Sequence, residues 1–209
     1  VRFGSPRVLC RAGAGRYHRP AEQGRDDDGA ALHGAGAGAV ACLTQPERPS
    51  GERRMPAPLA EAIARLDACG QRVWLDALRR DWIEDGRLGR WVDDGVRGVT
   101  SNPVIFDAAL AATSAYDDEI ATAAREGNAD PAAVYDALTL ADIRAACDVL
   151  RPLWDRSGGR DGWVSHEIDP ALADDADATT AEVRRVWRAL DGPNAMIKIP
   201  ATAAGVQAI

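Results

Sequence analysis

At 209 residues and 22.2 kDa the chain has room for one well-formed domain, or for a domain plus a tail. Hydrophobic residues at 46% and charged residues at 27% describe a globular chain with a real core, and no apolar run is long enough to span a bilayer. A net charge of −7 excludes nucleic-acid binding through a broad basic face.

The charge is unevenly spread. Residues 1–54 carry nine arginines and six acids, whereas the rest carries sixteen basic groups and twenty-six acids. All six tryptophans lie beyond Met55, and nine of the twenty glycines lie before it. Residues 1–54 show neither helical nor strand periodicity and few large apolar groups, so they are expected to lie outside the fold. They read as a disordered tail, or as a non-native extension upstream of a natural start at Met55; a targeting peptide fits poorly with Asp26–Asp28. The GAGAGA run at Gly34–Ala39 has no strand before it and no amphipathic helix after it, so it lacks the context of a dinucleotide site. Cys10, Cys42, Cys69 and Cys147 are scattered without a CxxC pair, which suits reduced thiols and a cytoplasmic protein.

From Met55 onward strand and helix signals alternate. Leu59 to Asp67 has helical spacing and stops at Gly70; Arg72 to Ala77 reads as a first buried strand. Leu78, Trp82, Leu88 and Trp91 mark helical residues interrupted near Gly86, and Val96 to Ser101 is a second strand closed by Asn102-Pro103. Helices are predicted over about 103–112, about 115–126, and from Pro131 to about Arg156, where Ser157-Gly158-Gly159 ends the last. Gly162 to Ile168 is a third strand. Thr179 and Glu182 have capping-box spacing ahead of an apolar stripe at Val183, Val186, Trp187 and Leu190. Asp191-Gly192-Pro193 turns into a fourth strand, Ala195 to Ile199, which Pro200 breaks before a last helix begins. Apolar strands alternating with helices predict an α/β fold with a parallel sheet. No phosphate-binding glycine loop follows the first strand, which favours a TIM-type (β/α)8 barrel over an open doubly wound sheet. Residues 55–209 hold only four βα units, half of such a barrel.

Each strand ends in a polar residue: Asp76, Asn102, Glu167 and Lys198. Barrel active sites form on that rim. Lys198 is the single lysine beside twenty-four arginines. A guanidinium cannot act as a nucleophilic amine, whereas a neutral lysine can form an imine with a ketone. The plainer reading is a lysine that snorkels, or that pairs with Glu167. Asp76 could equally be a helix N-cap, and Asn102 a turn or cap residue. His166 alternates with Glu167 and is expected to face away from the barrel interior, packed rather than ligating. Three dispersed histidines without HExxH give no metal site.

GQRVWLDALRRDWIEDGRL, DDGVRGVTSNPVIF, GWVSHEIDPALADDADAT and PNAMIKIPATAAGVQAI closely resemble the transaldolase family, from about Gly70 to Ile209. The specific look is of the bacterial branch also found fused to a glucose-6-phosphate isomerase domain. The resemblance implies a (β/α)8 barrel needing neither metal nor organic cofactor. It also implies transfer of a dihydroxyacetone unit from a ketose phosphate, sedoheptulose 7-phosphate or fructose 6-phosphate, to an aldose phosphate in the pentose phosphate pathway. On that resemblance Lys198 is the Schiff-base lysine and Asp76 the acid/base of carbon–carbon cleavage. Glu167 relays protons through a water, and Asn102 hydrogen-bonds the dihydroxyacetone moiety.

Members of the family continue through four more strands, which hold the substrate phosphate. This chain is therefore expected to be an N-terminal half that is inactive or nearly so alone, completed by a fused or separate second half. Its partners would be sugar phosphates, with neither nucleic acid nor membrane; the oligomeric state is left open. Two rivals stand beside this: a lysine-dependent sugar-phosphate aldolase, and a non-catalytic half-barrel that binds or assembles.

Overall fold

The computed structural model describes residues 56–127 and 130–209, together with the backbone of residues 8–11. Apart from residues 8–11, the expectation for residues 1–54 and the start at Met55 lie outside the described residues, as do Cys42 and the glycine run.

Five strands form one parallel sheet: β1 (Val8–Arg11), β2 (Trp74–Leu75), β3 (Gly98–Thr100), β4 (Trp163–Glu167) and β5 (Ala195–Pro200). Their order is β1-β5-β4-β3-β2, so the four predicted strands lie side by side in chain order. Among β2 to β5 the order does not reverse. Two predicted strands come out shorter than their apolar runs: β2 pairs with β3 only at Trp74 and Leu75, and β3 pairs with β4 over Gly98–Thr100. Pro200 ends β5 from within it, as the last paired residue.

Within the segment expected to lie outside the fold, Val8–Arg11 is a strand that runs parallel to β5, with Leu9 opposite Lys198. Nothing in the period of the surrounding sequence announces it. A strand edge offers unpaired backbone groups to any extended segment, and such pairing needs no side-chain pattern.

The helices are α1 (Ala57–Ala68), α2 (Arg80–Glu84), α3 (Arg87–Asp93), α4 (Pro103–Ala112), α5 (Asp117–Arg125), α6 (Pro131–Ser157), α7 (Ala176–Leu190) and α8 (Ala203–Gln207). Short 3₁₀ turns cover Ser114–Tyr116 and Pro170–Leu172. The proline starts of α4 and α6 and the Gly158 stop of α6 follow from sequence. Gly86, left-handed with φ 73°, separates α2 from α3. The capping box at Thr179 and Glu182 does not form. Asp175 caps α7 by accepting from the Ala178 N–H at 2.9 Å; the Thr179 hydroxyl donates to the Leu172 carbonyl, and Glu182 pairs with Arg185. The run of acids before Thr179 supplies a cap one turn earlier than the S/T-x-x-E pattern indicates.

Alternation along the strands divides the sheet into two faces. Val99, Val164, Ala195, Ile197 and Ile199 join the core with Leu88, Phe106, Ile143, Leu150, Val183 and Val186 from the helices. Thr100, Ser165, Glu167, Met196 and Lys198 alternate with these and so lie on the other face. There Trp74 lies so close to Gly98 that a β-carbon on Gly98 would sit 2.5 Å from the indole ring. Cys69 and Cys147 are free thiols, and burial pushes Cys147 up to about 12. Among the described residues no helix is long and apolar enough to cross a membrane.

His166 sits on the helix side as expected, buried and edge-to-face with Phe106 at a centroid distance of 6.3 Å. Its Nδ1 has no hydrogen-bond partner among the described residues. Burial lowers its pKa from 6.5 to about 4, and the nearby Asp136 and Glu182 do not restore it.

The native state therefore binds its proton less readily than the unfolded chain, so stability is full above pH 6.5 and falls as pH drops toward 4. Urea unfolding should show about 3 kcal/mol lost over that window from this residue, a component that His166→Leu removes. A second expectation concerns the start of β4. Gly162 has φ 86°, and a β-carbon there would lie 2.6 Å from the Trp154 amide nitrogen and 2.8 Å from the Leu150 carbonyl oxygen, both α6 backbone. Gly162→Ala should destabilise by about 2–4 kcal/mol. Gly158→Ala meets no atom within 4 Å, and should lose only about 1 kcal/mol by the same denaturant titration.

Candidate active site

Lys198 is placed by the register of two central strands. Glu167 is the cross-strand partner of Lys198, so both side chains leave the sheet on the same face, one from the end of β4 and one from within β5. The Lys198 Nζ lies 2.8 Å from Glu167 Oε2 and donates to the Ser101 carbonyl, also at 2.8 Å. The lysine is 5% exposed. Its neighbours along the strand, Ile197 and Ile199, are fully buried on the helix side. The plainer sequence reading, a pair with Glu167, is thus realised in the geometry. It is also an arrangement in which a carboxylate sits within proton-transfer distance of the amine.

Ser101 links the pair to the next polar rim residue. Its N–H and hydroxyl both donate to the Ser165 carbonyl, at 2.9 and 3.0 Å, and its own carbonyl receives the lysine. Asn102 follows directly and is the N-cap of α4, its Oδ1 accepting from the Ile105 N–H at 2.9 Å. The cap reading of Asn102 is therefore correct as far as that oxygen goes. The side-chain amide nitrogen is not used by the cap.

Asp76 stands apart from this cluster. It follows β2 immediately, is exposed, and lies two strands from β4 in the sheet order. The structure does not bring it into contact with Lys198. Nor is it a helix cap: α2 starts at Arg80 with Arg79 as its N-cap residue and no side-chain cap bond. An acid at a strand end, neither capping nor buried, is one that local structure does not use.

One polar group on this face escaped the sequence reading. Ser165 is two residues before Glu167 on β4 and fully buried, and its Oγ has no hydrogen-bond partner among the described residues. Period-two alternation from Glu167 could have found it. A buried hydroxyl beside a charged pair is a place for a substrate group or a water.

Sequence comparison identifies the family. A family profile, Transaldolase/Fructose-6-phosphate aldolase, matches residues 73–209, which contain all four rim residues. A transaldolase of Thiobacillus denitrificans is 50% identical over 151 residues, covering 72% of this chain and 41% of that protein. Transaldolases of Mycobacterium ulcerans, 47% identical, and Neisseria gonorrhoeae, 44% identical, each match over 70% of this chain and 39% and 42% of their own length. The chain thus spans about two-fifths of the curated relatives it matches. A profile reaching unbroken from β2 to the last residue, over a sheet whose rim carries a buried amine and its carboxylate, makes the chain a member of the transaldolase/fructose-6-phosphate aldolase family.

Proposed function

We propose that this chain contributes the first four βα units of a (β/α)8 transaldolase barrel, which is cytoplasmic and uses neither metal nor organic cofactor. The completed barrel transfers dihydroxyacetone from fructose 6-phosphate or sedoheptulose 7-phosphate to an aldose phosphate, in the pentose phosphate pathway. One observation carries the reading: a buried amine, the single lysine of the chain, held 2.8 Å from a carboxylate.

The chemistry assigns one task to each rim residue. Glu167 accepts a proton from the Lys198 ammonium, and the freed amine adds to the C2 carbonyl of the ketose to give a carbinolamine. Glu167 returns a proton, by way of a water, to the departing hydroxyl; water leaves and a protonated imine remains. Asp76 takes the proton of the C4 hydroxyl, the C3–C4 bond breaks, and its electrons move into the iminium to give an enamine. The aldose leaves. The enamine carbon then attacks the aldehyde of the acceptor, Asp76 gives its proton to the new hydroxyl, and hydrolysis of the imine restores Lys198. Asn102, whose amide nitrogen is left over from helix capping, hydrogen-bonds the dihydroxyacetone hydroxyls.

Two carboxyls are needed because the proton transfers happen at two different places. Glu167 serves the imine-forming steps at the nitrogen, against which it already lies. Asp76, at the end of a strand two away in the sheet order, takes the hydroxyl proton on the far side of the breaking bond.

Borohydride reduction in the presence of fructose 6-phosphate tests the reading, in this chain continued through the C-terminal strands of the family. A reduced dihydroxyacetone adduct should appear on the peptide containing Lys198 and be absent in Lys198→Ala; an adduct that survives that substitution sinks the proposal. Glu167→Gln should slow adduct formation by about a hundredfold. Asp76→Asn should leave trapping with dihydroxyacetone itself intact while lowering ketose cleavage by about a hundredfold or more, read as kcat. Product analysis with and without an aldose phosphate acceptor separates transfer from simple aldol cleavage.

A further inference from the structure

A cluster of buried charge lies in the helical layer, outside the rim. Asp142 of α6 is 2% exposed, and its two oxygens are both engaged: Oδ1 accepts from Arg80 Nε at 2.7 Å, and Oδ2 accepts from the Tyr116 hydroxyl at 2.8 Å. The Arg80 guanidinium reaches Glu119 Oε2 at 2.8 Å, and lies over the Tyr116 ring, 4.6 Å from its centroid. Burial pushes Asp142 up, opposed by its bonds from Arg80 and Tyr116. Removing such a pair from water costs energy that apolar packing would not, and its best-attested return is one fixed arrangement.

What it fixes is a short piece of backbone. α2 has no side-chain N-cap of its own, and its first residue, Arg80, donates its backbone N–H to the Tyr116 hydroxyl at 3.1 Å. Tyr116 therefore caps α2 from another element while its own proton goes to Asp142. The segment so held is the connection from β2 to α2. It begins at Asp76, and Leu78 within it is fully buried in the core. Among the described residues Asp76 makes no hydrogen bond or ion pair that would place its carboxylate. Its position is set from its two sides, by the pairing of Trp74 and Leu75 with β3 and by the anchor at Arg80 four residues on.

We propose that Tyr116, Asp142 and Arg80 are positioning residues for the Asp76 carboxylate, acting through the 76–80 backbone rather than on the substrate. This rests on the role given to Asp76 above, and it adds residues that are remote from the rim. Tyr116→Phe is the informative change, because it keeps the ring under Arg80 and deletes only the hydroxyl that receives the Arg80 N–H.

Two measurements decide it. In the 209-residue chain, amide hydrogen exchange over residues 77–80 should speed up at least about fivefold in Tyr116→Phe, while exchange in β4 and β5 stays unchanged. In the chain continued through the C-terminal strands of the family, Tyr116→Phe should lower kcat for ketose cleavage about tenfold, with KM and dihydroxyacetone trapping at Lys198 within twofold of the parent. In an Asp76→Asn background the same change should alter kcat by less than twofold, since the group it positions is gone. Equal fractional losses in both backgrounds, trapping that falls in step with cleavage, or exchange that does not change would each overturn the proposal. An unchanged kcat in Asp76→Asn alone would overturn the catalytic reading of Asp76 together with this one, whereas equal losses in both backgrounds would overturn only this one.

Discussion

The ion pair between Lys198 and Glu167 exists because of strand register. The two residues are opposite each other on β4 and β5, and side chains on a strand alternate between faces. A slip of one residue in β5 would turn Lys198 toward Leu150 and Val186 in the helix-covered core. The apolar neighbours prevent that slip. Ala195, Ile197 and Ile199 lose all their water-accessible surface on the helix side, and each fully buried isoleucine contributes about 2 kcal/mol relative to exposure. The packing that stabilises the sheet is thus what aims the amine.

The same division governs the neighbouring strands. β3 and β4 give Val99, Val164 and His166 to the helices and leave Thr100, Ser165 and Glu167 on the opposite side. Ser101, just past β3, presents a carbonyl to Lys198 because its own N–H and hydroxyl are tied to β4. Polar residues on this face are therefore connected through backbone as much as through side chains, which suits a site that must keep its shape while protons move.

Much of this was legible in the sequence, and the failures have identifiable causes. β4 and β5 stand out because both faces need apolar or specialised residues, so WVSHE and AMIKIP read clearly. The run RVWLDA overstates β2, because only Trp74 and Leu75 pair in register with β3. ADDADATT offers several caps for α7, and Asp175 competes successfully with Thr179. β1 carries no periodic signal, since its pairing with β5 is a backbone event. Lys198 and Glu167 could be found from their chemistry at strand ends. The network at Arg80, Tyr116 and Asp142 could not, because its members are 26 to 62 positions apart and each alone resembles an ordinary surface residue.

The scarcity of lysine has a practical corollary. Twenty-four of the twenty-five basic side chains, histidines aside, are guanidinium groups that keep their protons far into alkali. Reductive methylation with carbon-13 formaldehyde labels side-chain amines and ignores arginine, so apart from the chain's α-amino end a single resonance would appear. Its chemical shift, followed through a titration, would report the ionisation of Lys198 directly, with no assignment problem to solve.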